Sequence, residues 1–278
     1  MALKSLSTST VKNTLTKSNT FTTGIVMNGL RFSIHADSNL DSNNTIPDLS
    51  GNGYNATKTS ALTTNSSGYW DFGITNHIDK YILIPKETIL NATNWSIEFW
   101  ISPATIAGRY WFHAGGTGNR HLIGPASVNN SLNTLDFYIG ANPGAQFSTF
   151  ANAPIADNGA YVAPSRVMYP DQLHHVVFTY EPNLIKAYVD GNFWTRSPLT
   201  DNSGAPYTIS TVATCGTLNN SYWFGQELDS DGESAAPNQY AADRNQSFIG
   251  KLYALRMYGK TLSDIEVIQN FKAGVKAK

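Results

Sequence analysis

The chain has 278 residues, 41% hydrophobic and 12% aromatic but only 14% charged, where about 25% is usual. A formal net charge of −1 supplies no basic field to gather phosphates or anionic lipids, which argues against nucleic-acid and membrane-surface roles. The length suits one all-β sandwich, and a single cysteine, Cys215, leaves that fold to be held by packing instead of disulfides.

Residues 1–24 are mostly Ser, Thr, Asn and Lys, the composition of a polar arm, so residues 25–278 are expected to form the one folded domain. The isolated apolar residues Leu3, Leu6, Val11, Leu15 and Phe21 are spaced to anchor such an arm in a partner's grooves. The arm holds no apolar run of signal-peptide length, and nowhere do about eighteen consecutive apolar residues occur, so neither signal-dependent secretion nor membrane insertion is expected. Eight Asn-x-Ser/Thr triplets, beginning at Asn43, Asn55, Asn65, Asn91, Asn94, Asn129, Asn219 and Asn245, are what chance supplies in a chain this rich in Asn, Ser and Thr.

From Gly29 onward, short β-branched and aromatic runs alternate with Gly, Pro, Asn and Asp, the pattern of strands and turns. Period two across Trp95–Ile101 places Trp95, Ile97, Phe99 and Ile101 on one face and Ser96, Glu98 and Trp100 on the other, and Pro103 ends the strand. Leu173–Tyr180 is apolar on both faces, as a covered central strand requires. Leu184–Val189 returns beside it, Asp190-Gly191 forms a type I′ turn, and Asn192–Arg196 is the third strand of the meander. One short helix is expected: Ser263-Asp264-Ile265-Glu266 is a capping box and Gly274 closes the far end.

Four segments in order carry a resemblance. Asp48-Leu49-Ser50-Gly51-Asn52-Gly53 resembles the Asp-x-Ser-Gly-Asn-Gly turn of the laminin-G-like, concanavalin A-like jelly-roll family. Asn94–Pro103 resembles its tryptophan strand, and Leu173–Tyr180 with Tyr188-Val189-Asp190-Gly191 its paired-histidine strand and hairpin. Phe248–Tyr258 with Leu262, Ser263 and Glu266 resembles its closing strand and helix. The resemblance implies an all-β, two-sheet antiparallel jelly-roll sandwich with a short C-terminal helix, a fold that hosts lectins, hydrolases, adhesion modules and viral structural proteins.

Candidate chemistry is sparse. His174 and His175 are adjacent in a strand, so they point to opposite faces and cannot readily converge on one ion. The run Glu227-Leu228-Asp229-Ser230-Asp231-Gly232-Glu233 admits three readings: catalytic carboxylates, a calcium loop through Asp229 and Asp231, or a solvated acidic loop. The catalytic reading, with Glu227, Asp229 and Glu233, follows from likeness to the Glu-x-Asp-x-Glu strand of laminarinase-like hydrolases. Ser230 and Gly232 favour a turn instead. The resemblance also implies a structural calcium near Asp48 and Gly51, although Tyr253 stands where relatives often carry a closing-strand acid. Tyr110, Trp111, Trp194, Tyr222 and Trp223 are candidates for stacking a sugar, each set against the simpler expectation of core packing.

The expectation from sequence is a non-enzymatic virion protein on a capsid or tail surface of a phage or another virus. The arm would join it to other virion structural proteins and the sandwich would contact host-surface glycans. A free lectin and a laminarinase-like glycoside hydrolase are the rivals.

Overall fold

The computed structural model describes residues 24–36, 44–75, 77–85, 88, 94–104, 112–114, 119–124, 136–141, 168–181, 184–198, 222–226 and 247–276. They form two antiparallel sheets and one helix, α1 (Asp264–Ala273). The eight-stranded sheet runs β13 (Asn192–Pro198), β12 (Leu184–Val189), β11 (His174–Glu181), β7 (Trp95–Pro103), β15 (Gly250–Tyr258), β5 (Tyr69–Gly73), β4 (Thr63–Asn65). Its eighth strand, β1 (Leu30–His35), pairs with the C-terminal half of β15, while β5 pairs with the N-terminal half. The seven-stranded sheet runs β10 (Asp136–Ala141), β9 (Asn119–Gly124), β8 (Phe112–Ala114), β14 (Tyr222–Phe224), β6 (Ile82–Ile84), β3 (Ala56–Lys58), β2 (Thr45–Ile46).

Alternation decides what each face does. Trp95, Ile97, Phe99 and Ile101 of β7 all enter the main core, as their spacing predicts, where Phe99 meets Phe112 and Phe224 of the opposing sheet. A register shift between Leu252 and Ala254 lets Leu252 and Leu255, three residues apart, both reach that core. Arg256 and Tyr258 therefore face outward, on the same side as Glu98 and Trp100.

Helix α1 covers part of this outward side. A second apolar cluster of Ile25, Val26, Leu30, Val177, Tyr188, Tyr258, Leu262 and Val267 lies beneath it. Ser263 caps the helix by accepting from the Glu266 amide while the Glu266 carboxylate accepts from the Ser263 amide. Gly274, with φ of 85°, turns the chain at its end and donates to the Asn270 carbonyl. The central strand β11 is thus covered on both sides, by the main core and by α1, and every residue of it but Glu181 is buried.

The Asp190-Gly191 turn has φ of 51° and 74°, as a type I′ hairpin requires. A Cβ on Gly191 would come within 2.7 Å of the Phe271 ring, so glycine also permits the hairpin to approach the helix. The segment before β1 is tied to the same helix. Val26 N–H donates to Asn270 Oδ1 at 2.8 Å, and Gln269 Nε2 donates to the Gly24 carbonyl at 2.9 Å.

Candidate functional site

Strand β14 divides the two aromatic residues that sequence placed together. Tyr222 belongs to the main core, stacked on Phe112 with ring centroids 5.4 Å apart. That position corrects its assignment as a sugar platform: in a strand, the residue beside an outward one points in. Trp223 faces away from the sandwich, paired across the sheet with Leu83 of β6, whose own partner on β3 is Thr57. The Tyr81 ring lies 4.4 Å from the Trp223 ring at 36°. Tyr81 is held by an exchange with Thr59, whose amide donates to the Tyr81 carbonyl and whose hydroxyl accepts from the Tyr81 amide.

Trp223 is only 2% exposed, so Tyr81 and Leu83, both partly exposed, carry the accessible surface of this step. Sequence reasoning overlooked Tyr81; its place directly before the Ile82–Ile84 strand was the available signal. Tyr110 and Trp111 lie outside the described residues, as does the side chain of Trp194 in β13.

Just beyond β14, a buried polar cluster fixes the chain. His77 Nε2 lies 2.7 Å from the Phe248 carbonyl, and Gln226 Nε2 lies 2.8 Å from His77 Nδ1. This pattern assigns the ring proton to Nε2. Ser247 Oγ accepts from the His77 amide, so residues 226 and 247 are pinned beside one another. Glu227, Asp229, Asp231 and Glu233, between these anchors in sequence, lie outside the described residues, and so do Leu3, Leu6, Val11, Leu15 and Phe21 of the arm.

The Asp48 turn does not fit the expected calcium ion. Asp48 Oδ1 accepts from the amides of Ser33 (3.0 Å) and Ser50 (2.9 Å), and Oδ2 from the Ser50 hydroxyl (2.7 Å) and the Tyr54 amide (3.1 Å). Four protein donors saturate the carboxylate, whose roughly four lone-pair sites are what a hard cation would need. Gly51, with φ of 87°, serves the turn itself, and Tyr253 supplies no charged ligand. Charge compensation here comes from three N–H groups and one hydroxyl.

The two histidines do separate. His174 Nδ1 lies 2.9 Å from Asp190 Oδ2, and its Nε2 accepts from the Tyr169 amide, which makes it a tie between the β12–β13 turn and the loop before β11. His175 faces α1, packed between Trp100 and Phe271, with Nε2 3.3 Å from Glu98 Oε1. Glu98 also pairs with Arg256 and accepts from Trp100 Nε1 and Asn270 Nδ2. Burial alone would raise the Glu98 carboxyl; the Arg256 guanidinium, then His175, outweigh it and hold the group at about 2. An acid beside a histidine invites a catalytic reading, but both side chains are fully buried, so no substrate reaches them. Burial likewise pushes the Tyr258 hydroxyl up, and the Tyr258 oxygen accepts from the same Asn270 amide.

Comparison with known proteins follows the fold. The sequence profile described as concanavalin A-like lectin/glucanases superfamily matches residues 75–230. No curated protein matches the chain. Domain 4 of AbnA, an extracellular GH43 arabinanase of Geobacillus stearothermophilus solved with arabinotriose, is similar at TM-score 0.54 and 14% identity, over 87% of this chain and 97% of that one. The binding domain of Paraclostridial Mosquitocidal Protein 1 is similar at 0.55 and 16%, over 87% of this chain and 52% of its own. A structure of botulinum neurotoxin type C, which enters cells in dependence on two ganglioside molecules, is similar at 0.53 and 13%, over 88% of this chain and 51% of its own. This chain therefore spans about half the length of the toxin chains. At such identities the likeness is one of fold.

Proposed function

Because this chain belongs to the concanavalin A-like lectin/glucanases superfamily, we propose that it is a glycan-binding module that does not cleave its ligand and that is carried on a virus particle. The observation that carries the binding reading is the partly exposed Tyr81 ring, backed by the buried Trp223, on the outer face of the seven-stranded sheet. Aromatic side chains offer the apolar C–H faces of sugars a flat partner while their surroundings supply hydrogen bonds. Two of the similar structures support it, one solved with a bound arabinose oligomer and one of a toxin whose cell uptake depends on gangliosides. Among the described carboxylates, Glu98 is sealed under α1 and Asp48 is saturated, so neither of these two acts on a ligand.

The virion role rests on the polar composition of residues 1–24 and on a fold that uses no disulfide. The leader joins the sandwich at Gly24, on α1, which packs on the far side from Tyr81 and Trp223. No helix among the described residues is long and apolar enough to cross a membrane.

Two titrations test this reading. With arabinotriose and sialyllactose as probes, isothermal calorimetry on the full chain should show binding by at least one sugar, weakened several-fold by Tyr81→Ala. Binding by neither sugar sinks the glycan reading. Deleting residues 1–23, which spares the Gly24 carbonyl, should leave sugar binding intact and abolish incorporation into virus particles; normal incorporation refutes the arm.

A further inference from the structure

The outward face of the eight-stranded sheet continues past α1 onto β15, β5 and β4, where no described helix or strand packs on it. Trp70 and Phe72 of β5 fill the core, so Tyr69 and Asp71 face outward by alternation. On β15 the same holds for Lys251 and Tyr253 around the inward Leu252. Register brings these residues together: Lys251 pairs with Asp71, and Asp71 pairs with Thr63 at the sheet edge.

The Tyr69 and Tyr253 rings stand 5.5 Å apart at 53°, forming a shallow V, and the Lys251 ammonium lies 5.0 Å from the Tyr69 centroid. All four side chains are partly exposed. Asp71 uses Oδ1 to accept the Gly73 amide. Its other oxygen, the ammonium and the two phenol hydroxyls have no hydrogen-bond partner among the described residues.

We propose that Tyr69 and Tyr253, flanked by Lys251 and Asp71, form a second saccharide site, on the opposite side of the sandwich from Tyr81 and Trp223. The inference rests on the glycan-binding reading and deepens it. A sugar ring has a C–H face and a rim of hydroxyls. The tyrosine V receives the face, and a cation, a carboxylate and two phenols surround it with both donors and acceptors. A protein partner fits less well, since the centre of a protein interface is depleted in charged residues and here an ammonium and a carboxylate stand directly beside the two rings. The ammonium now resting on Tyr69 is a flexible donor that can exchange the ring for a sugar oxygen.

Saturation-transfer and chemical-shift NMR on the full chain, with arabinotriose and sialyllactose as probes, tests it. The expected result is contact with both tyrosine rings and an affinity at this site lowered about tenfold in Tyr69→Ala/Tyr253→Ala, with Tyr81→Ala leaving these contacts unchanged. Lys251→Met should weaken binding by a smaller factor and preserve the fold. If the double variant keeps its circular dichroism and binds sugar as the unaltered chain does, the second site is overturned while the glycan reading stands. If the unaltered chain binds neither probe, both fall.

Discussion

The outward face of the eight-stranded sheet has two halves that share strand β15. Under α1, β7 and β15 contribute Glu98, Trp100, Arg256 and Tyr258; beyond it, β15 and β5 contribute Lys251, Tyr253, Tyr69 and Asp71. Both halves mix charges with aromatic rings. In the covered half both oxygens of Glu98 accept hydrogen bonds, from Arg256 and Trp100 at one and Asn270 at the other, and the Arg256 guanidinium also donates to the carbonyls of Gly274 and Val275. In the open half the Lys251 ammonium, the two phenols and one Asp71 oxygen have no hydrogen-bond partner among the described residues. Cover, rather than composition, decides whether such a patch holds the fold together or recognises a ligand.

The largest effect should follow Glu98→Ala. Removing one partner of a buried ion pair leaves the other uncompensated, at a cost of about 3–5 kcal/mol. Urea titration should therefore show a strongly lowered midpoint, and a shift below about 1 kcal/mol would mean that α1 does not seal this network.

Acid should act on the same half. The Glu98 carboxyl is held at about 2, below the ordinary 4.5, so its stabilising contribution is fully present above about pH 4.5 and lost as pH falls toward 2. The depression corresponds to roughly 3 kcal/mol. Stability measured across this window should fall in the unaltered chain and fall less in Glu98→Gln.

Asn270→Ala should cost less, about 2 kcal/mol, since it unties Val26 from the helix and strips one donor from Glu98 while leaving Arg256 in place. Hydrogen exchange should rise first at residues 24–27. The smallest effect is expected in the open half: Lys251→Met and Tyr253→Phe should each change stability by no more than about 0.5 kcal/mol. A larger loss from either would make that patch structural and erase the contrast.

What the sequence disclosed tracks the range of the forces involved. The alternation of β7, the opposed histidines, the Asp190-Gly191 turn and the Ser263–Glu266 capping box depend on neighbours a few residues apart, and the structure has them all. The Glu98 network joins residues 158 and 172 positions apart, and no local pattern announces such a pairing. The same limit applies to Asp48, which has the chemistry of a calcium ligand until Ser33 and Tyr54 are seen to fill its oxygens. Tyr222 was misplaced because three residues of strand fix an alternation without saying which side is the core. Tyr253 drew notice only as a missing acid, and its neighbours Tyr69 and Lys251 gave it meaning once β15 met β5.

The central claim is that the chain holds saccharides on its open faces and leaves them intact. Time-resolved NMR of the full chain with arabinotriose or sialyllactose tests both parts at once. The account predicts shift changes confined to the surroundings of Tyr81 or of Tyr69 and Tyr253, quiet resonances for His175 and Asn270 beneath α1, and a sugar spectrum unchanged over hours. Newly released reducing ends, or perturbations centred under the helix, would contradict it.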